Sequence, residues 1–267
     1  MKEKIKQFWE SRAEQYSSEP AATTDDVYLR ELEVDTLIQE IIDMRLPKEA
    51  SILDVGCGNG YSTLKVAQQF DGAYFYGIDY SSKMIESALE KLHSLPVLKD
   101  RVSFSVGDVN DIGQTYGEKV FDLVVTDRCL INLDTRESQA HAIGQIAKHT
   151  KPQGRFLAIE NFIEGHDNMN KARQSIGLPE IPVRWHNLYF DDPGFLSMTE
   201  PYFEGVTFKD FSSSYYFATR VVYSGMCHLR GEKIDYNHDI HRLATRLPWT
   251  GRFSPIRMAV MRRRAAV

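Results

Sequence analysis

The chain contains 267 residues, of which 42% are hydrophobic, 11% aromatic and 26% charged. That length and composition are typical of a globular protein with a sizeable core, and they exclude a disordered or fibrous chain. The three cysteines, Cys57, Cys129 and Cys227, are widely spaced. Their spacing excludes a disulfide scaffold and a zinc site built from cysteines, and it favours a reducing compartment.

Charge is unevenly distributed along the chain. The formal net charge is −5, but residues 240–267 contain seven arginines and no acidic residue, which leaves 25 basic against 37 acidic residues elsewhere. An acidic body repels a polyanion, so we do not expect nucleic-acid binding. Without an apolar leader segment or an apolar run of bilayer length, the sequence predicts a cytoplasmic protein that has no membrane partner.

Helical and strand patterns alternate through the first 160 residues. Apolar spacing predicts helices over 3–17 and 27–45. Short apolar runs then predict five strands, over 51–55, 73–79, 102–106, 120–126 and 155–160. Between them we expect helices over about 60–70, around 84–92 and over 135–148, the last with Asp134 as N-cap and Glu137 at N3. This alternation predicts an α/β protein with a doubly wound, mostly parallel sheet.

The regular alternation weakens after residue 160. Only two further strands are predicted, over 206–211 and 256–262. Residues 161–200 and 212–255 therefore become insertions with short helical pieces. We expect a single domain over 1–267, with a helical cap over 1–45, a cofactor-binding core over 51–160 and the two insertions on the substrate side.

A glycine-rich turn, DVGCGNG over residues 54–60, follows the first predicted strand. Closely spaced glycines let the backbone approach a ligand, and amides at the next helix start can hold an anionic group. Asp79 ends the next strand, where its carboxylate can accept hydrogen bonds from a ribose diol. The G-x-G-x-G spacing departs from the G-x-G-x-x-G of dinucleotide sites, and Asp54 beside it would repel a pyrophosphate but attract an ammonium group.

Two further segments occur near the following strands. SVGDV over 105–109 places Asp108 where it can accept a hydrogen bond from an adenine amine, and FDLVV over 121–125 begins a strand with an aromatic–acid pair. Together with the glycine loop, Asp79 and the KPQG turn over 151–154, these segments resemble the class I S-adenosylmethionine-dependent methyltransferases. The resemblance covers about residues 30–160.

The resemblance implies a Rossmann-like sheet of seven strands whose last strand is antiparallel. It implies S-adenosylmethionine as cofactor and S-adenosylhomocysteine as product. It also implies that Asp79 binds the ribose and that the other candidate residues given below surround the methionine, adenine and methyl groups. The amino-terminal Tyr16, Thr23, Thr24 and Tyr28 are placed to close over the donor. The candidate cofactor-binding residues are Tyr16, Asp54, Gly56, Gly58, Asn59, Asp79, Tyr80, Met84, Asp108, Val109 and Thr126.

Ligands of open parallel sheets bind beyond the carboxyl ends of the strands, so the insertions should overhang the site. The catalytic candidates are His186, in the polar–aromatic segment VRWHNLY, and two acids at strand ends, Glu160 and Asp127. Each also has a structural interpretation, as a hydrogen-bonded core histidine, a helix cap or an ion-pair partner. The substrate-binding candidates are Arg128, Tyr189, Tyr215, Tyr216, Arg242, Arg246 and Arg252, of which the last three either face an anionic group or lie on the surface.

We therefore predict a methyltransferase that acts on a small polar molecule, with O-methylation of a sugar-like or secondary-metabolite acceptor as the favoured reaction and an anionic acceptor as one option. No metal is expected, because His238 and His241 lack a third and fourth ligand at clear spacing. Two alternatives stay open: a nicotinamide-dependent oxidoreductase, and a non-catalytic donor-binding partner of another subunit. The sequence does not indicate an oligomeric state.

Overall fold

Seven strands form one sheet in the computed structural model, which describes residues 2–16 and 26–265. They are β1 (Ser51–Val55), β2 (Tyr74–Asp79), β3 (Val102–Val106), β4 (Phe121–Asp127), β5 (Thr150–Asn161), β6 (Phe203–Lys209) and β7 (Ile256–Arg263). Their spatial order is β3-β2-β1-β4-β5-β7-β6. The first five strands are parallel, whereas β7 runs antiparallel to both β5 and β6. This topology confirms the predicted fold class.

Helices surround the sheet on both faces. Those of the first half are α1 (Lys2–Tyr16), α2 (Val27–Met44), α3 (Tyr61–Ala67), α4 (Ser82–His93), α5 (Ile112–Tyr116) and α6 (Arg136–Lys148). Those of the second half are α7 (Ile163–Ser175), α8 (Asp192–Thr199), α9 (Ser213–Tyr216), α10 (Ser224–Arg230) and α11 (Asp239–Ala244). Within the described ranges, no helix combines the length and the apolar character that crossing a bilayer requires.

The structure corrects several predicted boundaries. The N-cap of α6 is Thr135, not Asp134, because the Thr135 hydroxyl accepts the backbone N–H of Ser138 at 3.1 Å; Glu137 then lies at N2. Strand β5 begins at Thr150 because its first residue pairs with Phe121 before a bulge, so the KPQG turn belongs to the strand. Strand β6 begins three residues before the predicted 206.

Alternate residues of the central strands pack against the two helical layers. On one face, β-strand residues such as Ile52, Leu123 and Leu157 are buried against Leu37 of α2 and Leu64 of α3. On the other face, the core is formed by Leu53, Val55, Val124, Phe156, Ile143 and Ile146. Because both faces are covered, the central strands are almost continuously apolar, which is why the sequence predicted them well.

Two helical connections link the last three strands in the chain. The connection from β5 to β6 contains α7 and α8, and the connection from β6 to β7 contains α9, α10 and α11. Between α9 and α10 the chain forms a π-helix over Phe217–Tyr223. Turns of this kind are rare and occur frequently at functional sites, so its position next to the cavity described below is informative.

Helix α7 lies directly against the backbone that leads into β7. A Cβ atom added at Gly165 would lie 1.8 Å from the carbonyl oxygen of Ser254. We expect Gly165→Ala to lower the free energy of unfolding by about 3 kcal/mol, because backbone on both sides must move. Urea denaturation monitored by circular dichroism measures this change.

The matched control is Gly113→Ala in α5, where the nearest heavy atom to an added Cβ would be 3.7 Å away. This change should be neutral or stabilising by up to about 1 kcal/mol, because alanine is the better helix former. Equal losses of stability in the two variants would contradict the close packing of α7.

Candidate active site

Two adjoining cavities lie at the carboxyl ends of the parallel strands. Their volumes are about 460 Å³ and about 200 Å³. The residues common to both linings are Gly56, Asp79, Tyr80, Cys129 and Asn132. The combined space falls within the range of roughly 300–1,000 Å³ that is usual for small-molecule sites. We call the larger space the acceptor chamber and the smaller one the adenine cleft.

The glycine loop after β1 borders both spaces. Gly56, Gly58 and Gly60 have φ angles of +76°, +53° and +72°. These positive values are sterically unfavourable for residues that have a Cβ atom. A Cβ on Gly56 would also lie 2.5 Å from the Cys129 sulfur, so the loop requires glycine for close approach as well as for conformation. Gly56 and Gly58, for which the sequence predicts ligand contact, line the acceptor chamber.

Asp79 lies where the two cavities meet. Its Oδ1 accepts the N–H of Ser81 at 2.9 Å and its Oδ2 accepts the N–H of Gly58 at 3.0 Å. Burial raises the pKa of Asp79 to about 6, although these two hydrogen bonds favour the ionised form. The carboxylate therefore joins the glycine loop to the loop after β2 and keeps acceptor capacity for a ligand.

Residues predicted at the adenine do border the smaller cavity. Asp108, Val109 and Tyr80 line the adenine cleft together with Leu133. The Oδ1 atom of Asp108 accepts the backbone N–H of Asn110 at 2.9 Å, which fixes the orientation of this carboxylate. Met84, also predicted here, instead lines the acceptor chamber.

Three cofactor candidates lie behind the cavities. Asp54 is buried and accepts a 2.5 Å hydrogen bond from the Thr63 hydroxyl, and neither cavity reaches it. Asn59 and Thr126 are fully buried and also line neither cavity. These placements correct the prediction of direct contact, because the side chains of a glycine-loop turn and of a central strand point into the protein.

A four-residue charge cluster forms one wall of the acceptor chamber. Arg30 of α2 contacts Asp127 at 2.6 Å, and Arg128 contacts Glu33 at 3.0 Å. Arg30 also lies 3.5 Å from Glu33, and Arg128 lies 3.6 Å from Asp127. The cluster thus joins two arginines to two carboxyl groups, and Asp127 acts as an ion-pair partner.

Arg128 has φ +53°, a left-handed conformation that residues other than glycine rarely adopt. Its backbone N–H donates to the carbonyl oxygen of Ile159 at 2.7 Å. Strained backbone of this kind is found mainly at binding and catalytic sites. The side chain of Arg128 lines the acceptor chamber, where it was predicted to meet substrate.

His186 lines the acceptor chamber within an aromatic cluster. Its ring stacks on Phe8 at a centroid distance of 4.6 Å and meets the edges of Trp9 and Trp185 at 5.7 and 5.2 Å. Burial, and secondarily the nearby Arg184, lowers the pKa of His186 to about 4. The imidazole is therefore neutral at pH 7, and its Nδ1 has no hydrogen-bond partner among the described residues.

Helix α1 covers this cluster. Its Trp9 donates an indole N–H to the side chain of Asn132 at 3.3 Å and lines the acceptor chamber. The predicted contact of Tyr16 lies outside the described side chains, and Thr23 and Thr24 lie outside the described residues. Tyr28, in the first turn of α2, is half-buried against the core and does not line either cavity.

Glu160 does not lie in either cavity, which corrects its prediction as a catalytic residue. It is fully buried, and its carboxyl oxygens accept the N–H groups of Cys129, Leu130 and Ile131 at 3.0–3.2 Å. These N–H groups begin the short turn after β4 and would otherwise be unsatisfied. Glu160 thus holds the loop that carries Arg128 into the chamber.

Most of the residues of the second insertion that were predicted to bind substrate do not line either cavity. Tyr215 is buried, donates to Asp26 at 2.5 Å and lines neither cavity, whereas Tyr189 and Tyr216 do line the acceptor chamber. The three arginines Arg242, Arg246 and Arg252 line neither cavity. Arg242 pairs with Asp239 on the surface, Arg246 is exposed, and Arg252 pairs with two acids beside β7, Asp192 and Asp210.

The sequence reasoning missed the contribution of α7. His166, Met169 and Arg173 from this helix line the acceptor chamber, as does Arg220 from the π-helix. The spacing 166, 169, 173 matches one face of a helix, and this signal was present in the sequence. Across the described ranges, no group of three or more possible metal ligands is present.

Comparisons with known proteins agree with this geometry. A family model described as a methyltransferase domain matches residues 46–176. Residues 46–176 are therefore similar to a methyltransferase domain. This likeness agrees with the family that the glycine loop and Asp79 resemble in the sequence.

Several curated relatives are methyltransferases of small molecules or carrier-bound groups. Malonyl-[acyl-carrier protein] O-methyltransferase of Priestia megaterium is 30% identical over 146 residues, covering 53% of this chain and 49% of that protein. Ajmaline N-methyltransferase of Rauvolfia serpentina is 34% identical over 129 residues, covering 48% and 41%. The chain thus spans about half the length of the curated relatives that it matches.

Solved structures share the fold over most of the chain. Magnesium protoporphyrin IX methyltransferase of Synechocystis, with bound S-adenosylhomocysteine, has a TM-score of 0.57 at 16% identity and covers 90% of this chain and 87% of its own. The [4+2]-cyclase SpnF has a TM-score of 0.56 at 19% identity, covering 87% and 81%. These likenesses extend to the fold and leave the substrate open.

The buried carboxyl of Glu160 generates a prediction about pH. Burial raises its pKa from 4.5 to about 7, against three backbone hydrogen bonds. A raised carboxyl pKa means that the folded protein keeps a proton that the unfolded chain releases. The resulting stabilisation is present below pH 4.5 and is lost as the pH rises through about 7.

Glu160→Gln removes this titration. The stability of the wild type minus that of Glu160→Gln should therefore decrease as the pH rises from 5 to 8, measured by urea denaturation at four pH values. Glu137→Gln, at an exposed position of α6, serves as the control for general pH effects. A constant difference for Glu160→Gln would show that Glu160 is ionised throughout.

Proposed function

We propose that the chain is an S-adenosylmethionine-dependent methyltransferase that acts on a small polar molecule. The observation that carries the proposal is Asp79, a buried carboxylate at the junction of an adenine-sized cleft and a larger polar–aromatic chamber. A nucleoside whose ribose binds Asp79 would extend its base into the cleft and its other end toward the chamber. The relatives named above, which methylate oxygen or nitrogen atoms, support the same class of reaction.

The residues present fit this cofactor. Gly56 and Gly58 line the chamber without side chains, Asp79 offers acceptor capacity to a diol, and Asp108 lies in the adenine cleft. When it is bound, S-adenosylmethionine supplies an electrophilic methyl group. The protein must then align the acceptor atom and exclude water from the chamber.

The residues of the acceptor chamber have different roles in methyl transfer. Asp127 is engaged in an ion pair with Arg30 at 2.6 Å, which gives it a structural role in the chamber wall. His186 is neutral because its pKa is about 4, so it can accept a hydrogen bond from an acceptor hydroxyl at pH 7 but removes a proton inefficiently. We infer that His186 orients the acceptor, with Phe8 and Trp185 holding the ring in place.

Two alternative functions make different demands on the site. A nicotinamide-dependent oxidoreductase would use a similar sheet, but its pyrophosphate would have to lie beside Asp79 and the buried Asp54. A second alternative is a non-catalytic, donor-binding partner of another subunit. Binding of S-adenosylhomocysteine without methyl transfer to any acceptor would support that second alternative.

Asp79→Ala tests the nucleoside site. Loss of the carboxylate should weaken S-adenosylhomocysteine binding by about 1–3 kcal/mol, a factor of roughly 5–150, because buried ribose hydroxyls lose their acceptor. Isothermal titration calorimetry measures the affinity, and circular dichroism verifies that the variant is folded. Because the ionised carboxylate is the better acceptor, wild-type affinity should also fall as the pH drops below about 6.

Asp71→Ala, an exposed acidic residue outside both cavities, is the matched control and should bind S-adenosylhomocysteine like the wild type. Wild-type affinity in Asp79→Ala would contradict the ribose role. Tight binding of NADH without binding of S-adenosylhomocysteine would replace the proposal by the oxidoreductase.

His186→Ala tests the acceptor side. With the acceptor found by screening hydroxyl, amine and carboxylate compounds for S-adenosylhomocysteine release, we expect kcat/KM to fall about tenfold while S-adenosylhomocysteine affinity stays within about twofold. His141→Ala, an exposed histidine of α6, is the control. Undiminished kcat/KM in His186→Ala would eliminate its role in orienting the acceptor.

A further inference from the structure

The lining of the acceptor chamber contains more positive than negative side chains. Five arginines line it: Arg30, Arg128, Arg173, Arg184 and Arg220. Three acidic residues line it: Asp26, Asp79 and Asp127. Burying a charge without a partner costs free energy, so an arginine of this lining that lacks an acidic partner requires an explanation.

Three of the arginines are neutralised within the protein. Arg30 and Arg128 belong to the charge cluster with Asp127 and Glu33. Arg220 pairs with Asp26, the N-cap residue of α2, which also accepts a hydrogen bond from the buried Tyr215. These ion pairs position helices around the chamber and leave little charge for a ligand.

Arg173 of α7 is different. It is only 6% exposed, yet no carboxylate within the described ranges lies in ion-pair distance of it. Its Nε donates to the carbonyl of Pro179 at 2.9 Å and its Nη1 donates to the carbonyl of Arg220, but Nη2 makes no hydrogen bond to a described residue. Burial and the nearby Arg220 lower the pKa of Arg173, so the surrounding protein opposes its charge.

Arg184 is the second arginine of the lining without an ion pair in the described part of the chain. It is exposed, and it precedes the aromatic segment that contains Trp185 and His186. Its positive charge reaches into the chamber, because it contributes to the lowered pKa of His186. The positive charges of Arg173 and Arg184 thus both act in the acceptor chamber.

We propose that the acceptor is an oxyanion, a carboxylate or a phosphate, whose charged group binds the guanidinium of Arg173 with support from Arg184. This inference rests on the proposed function and names the substrate class of the same chamber. Two backbone carbonyls fix the guanidinium, so the remaining Nη2 donor group is pre-organised for an oxyanion. The anion-binding arginines are therefore contributed by α7 and the segment after it, and not by the predicted Arg242, Arg246 and Arg252.

Calorimetry with simple probes tests the assignment. Wild-type protein saturated with S-adenosylhomocysteine is titrated with succinate, with inorganic phosphate and with the neutral succinamide at constant ionic strength, which equalises general screening. We expect succinate or phosphate to bind at least about tenfold more tightly than succinamide, because only the anions form charge-assisted hydrogen bonds. Tighter succinate binding identifies a carboxylate acceptor, and tighter phosphate binding identifies a phosphorylated one.

Variants locate the site. Arg173→Gln, which keeps amide donors for the two carbonyls, should weaken anion binding at least about tenfold, and Arg184→Gln about threefold. Arg173→Lys retains the charge and should recover part of the affinity. The control is Arg246→Gln, at an exposed position outside the chamber, and it should bind anions within about twofold of the wild type.

The outcomes separate this inference from the proposed function. If the wild type does not bind S-adenosylhomocysteine, the proposed function fails. If it binds S-adenosylhomocysteine but does not distinguish succinate or phosphate from succinamide, only the anionic acceptor is overturned. If Arg173→Gln is unfolded, the test depends on Arg184→Gln. The anionic acceptor is then overturned if Arg184→Gln binds anions as tightly as the wild type. It is also overturned if Arg246→Gln loses as much anion affinity as Arg184→Gln.

Discussion

The Asp79 carboxylate is the interaction on which the site depends. One of its oxygens holds the glycine loop through Gly58, and the other holds the loop after β2 through Ser81. Both loops follow neighbouring parallel strands, so a single side chain sets the distance between two loops that border the cavities. Because it is buried and carries a raised pKa, the carboxylate combines this structural duty with a readiness to accept new hydrogen bonds.

The remaining acids near the site illustrate how burial decides between structural and chemical roles. Glu160 satisfies three backbone N–H groups, and Asp127 and Glu33 neutralise two arginines. Each of these carboxyls removes an unsatisfied donor or an unpaired charge from the interior. An acidic residue at the end of a strand is therefore not catalytic by position alone. The groups available for chemistry are those without a hydrogen-bond or ion-pair partner inside the protein.

The parallel half of the fold was predictable because its signals are local. Strand β1, the glycine loop and Asp79 are recognised from apolar runs and spacing alone, and the structure has them where the sequence placed them. The contacts of Tyr215 and Arg252 were not predictable, because they depend on partners more than forty residues away in the chain. The part of α7 that lines the chamber was only partly predictable. Its chamber-lining residues repeat at helical spacing, but as a set they lack the apolar character that marks a core face.

The π-helix over Phe217–Tyr223 has an evolutionary consequence. An α-helix advances about 100° per residue, so removing one residue from this wide turn would restore the ordinary helical period and rotate everything on one side of it relative to the other. Arg220 would leave Asp26, and its carbonyl would leave Arg173. A deletion of a single codon could thus remodel this wall of the chamber while the sheet and the glycine loop remain unchanged, which offers descendants of this chain a short route to new acceptors.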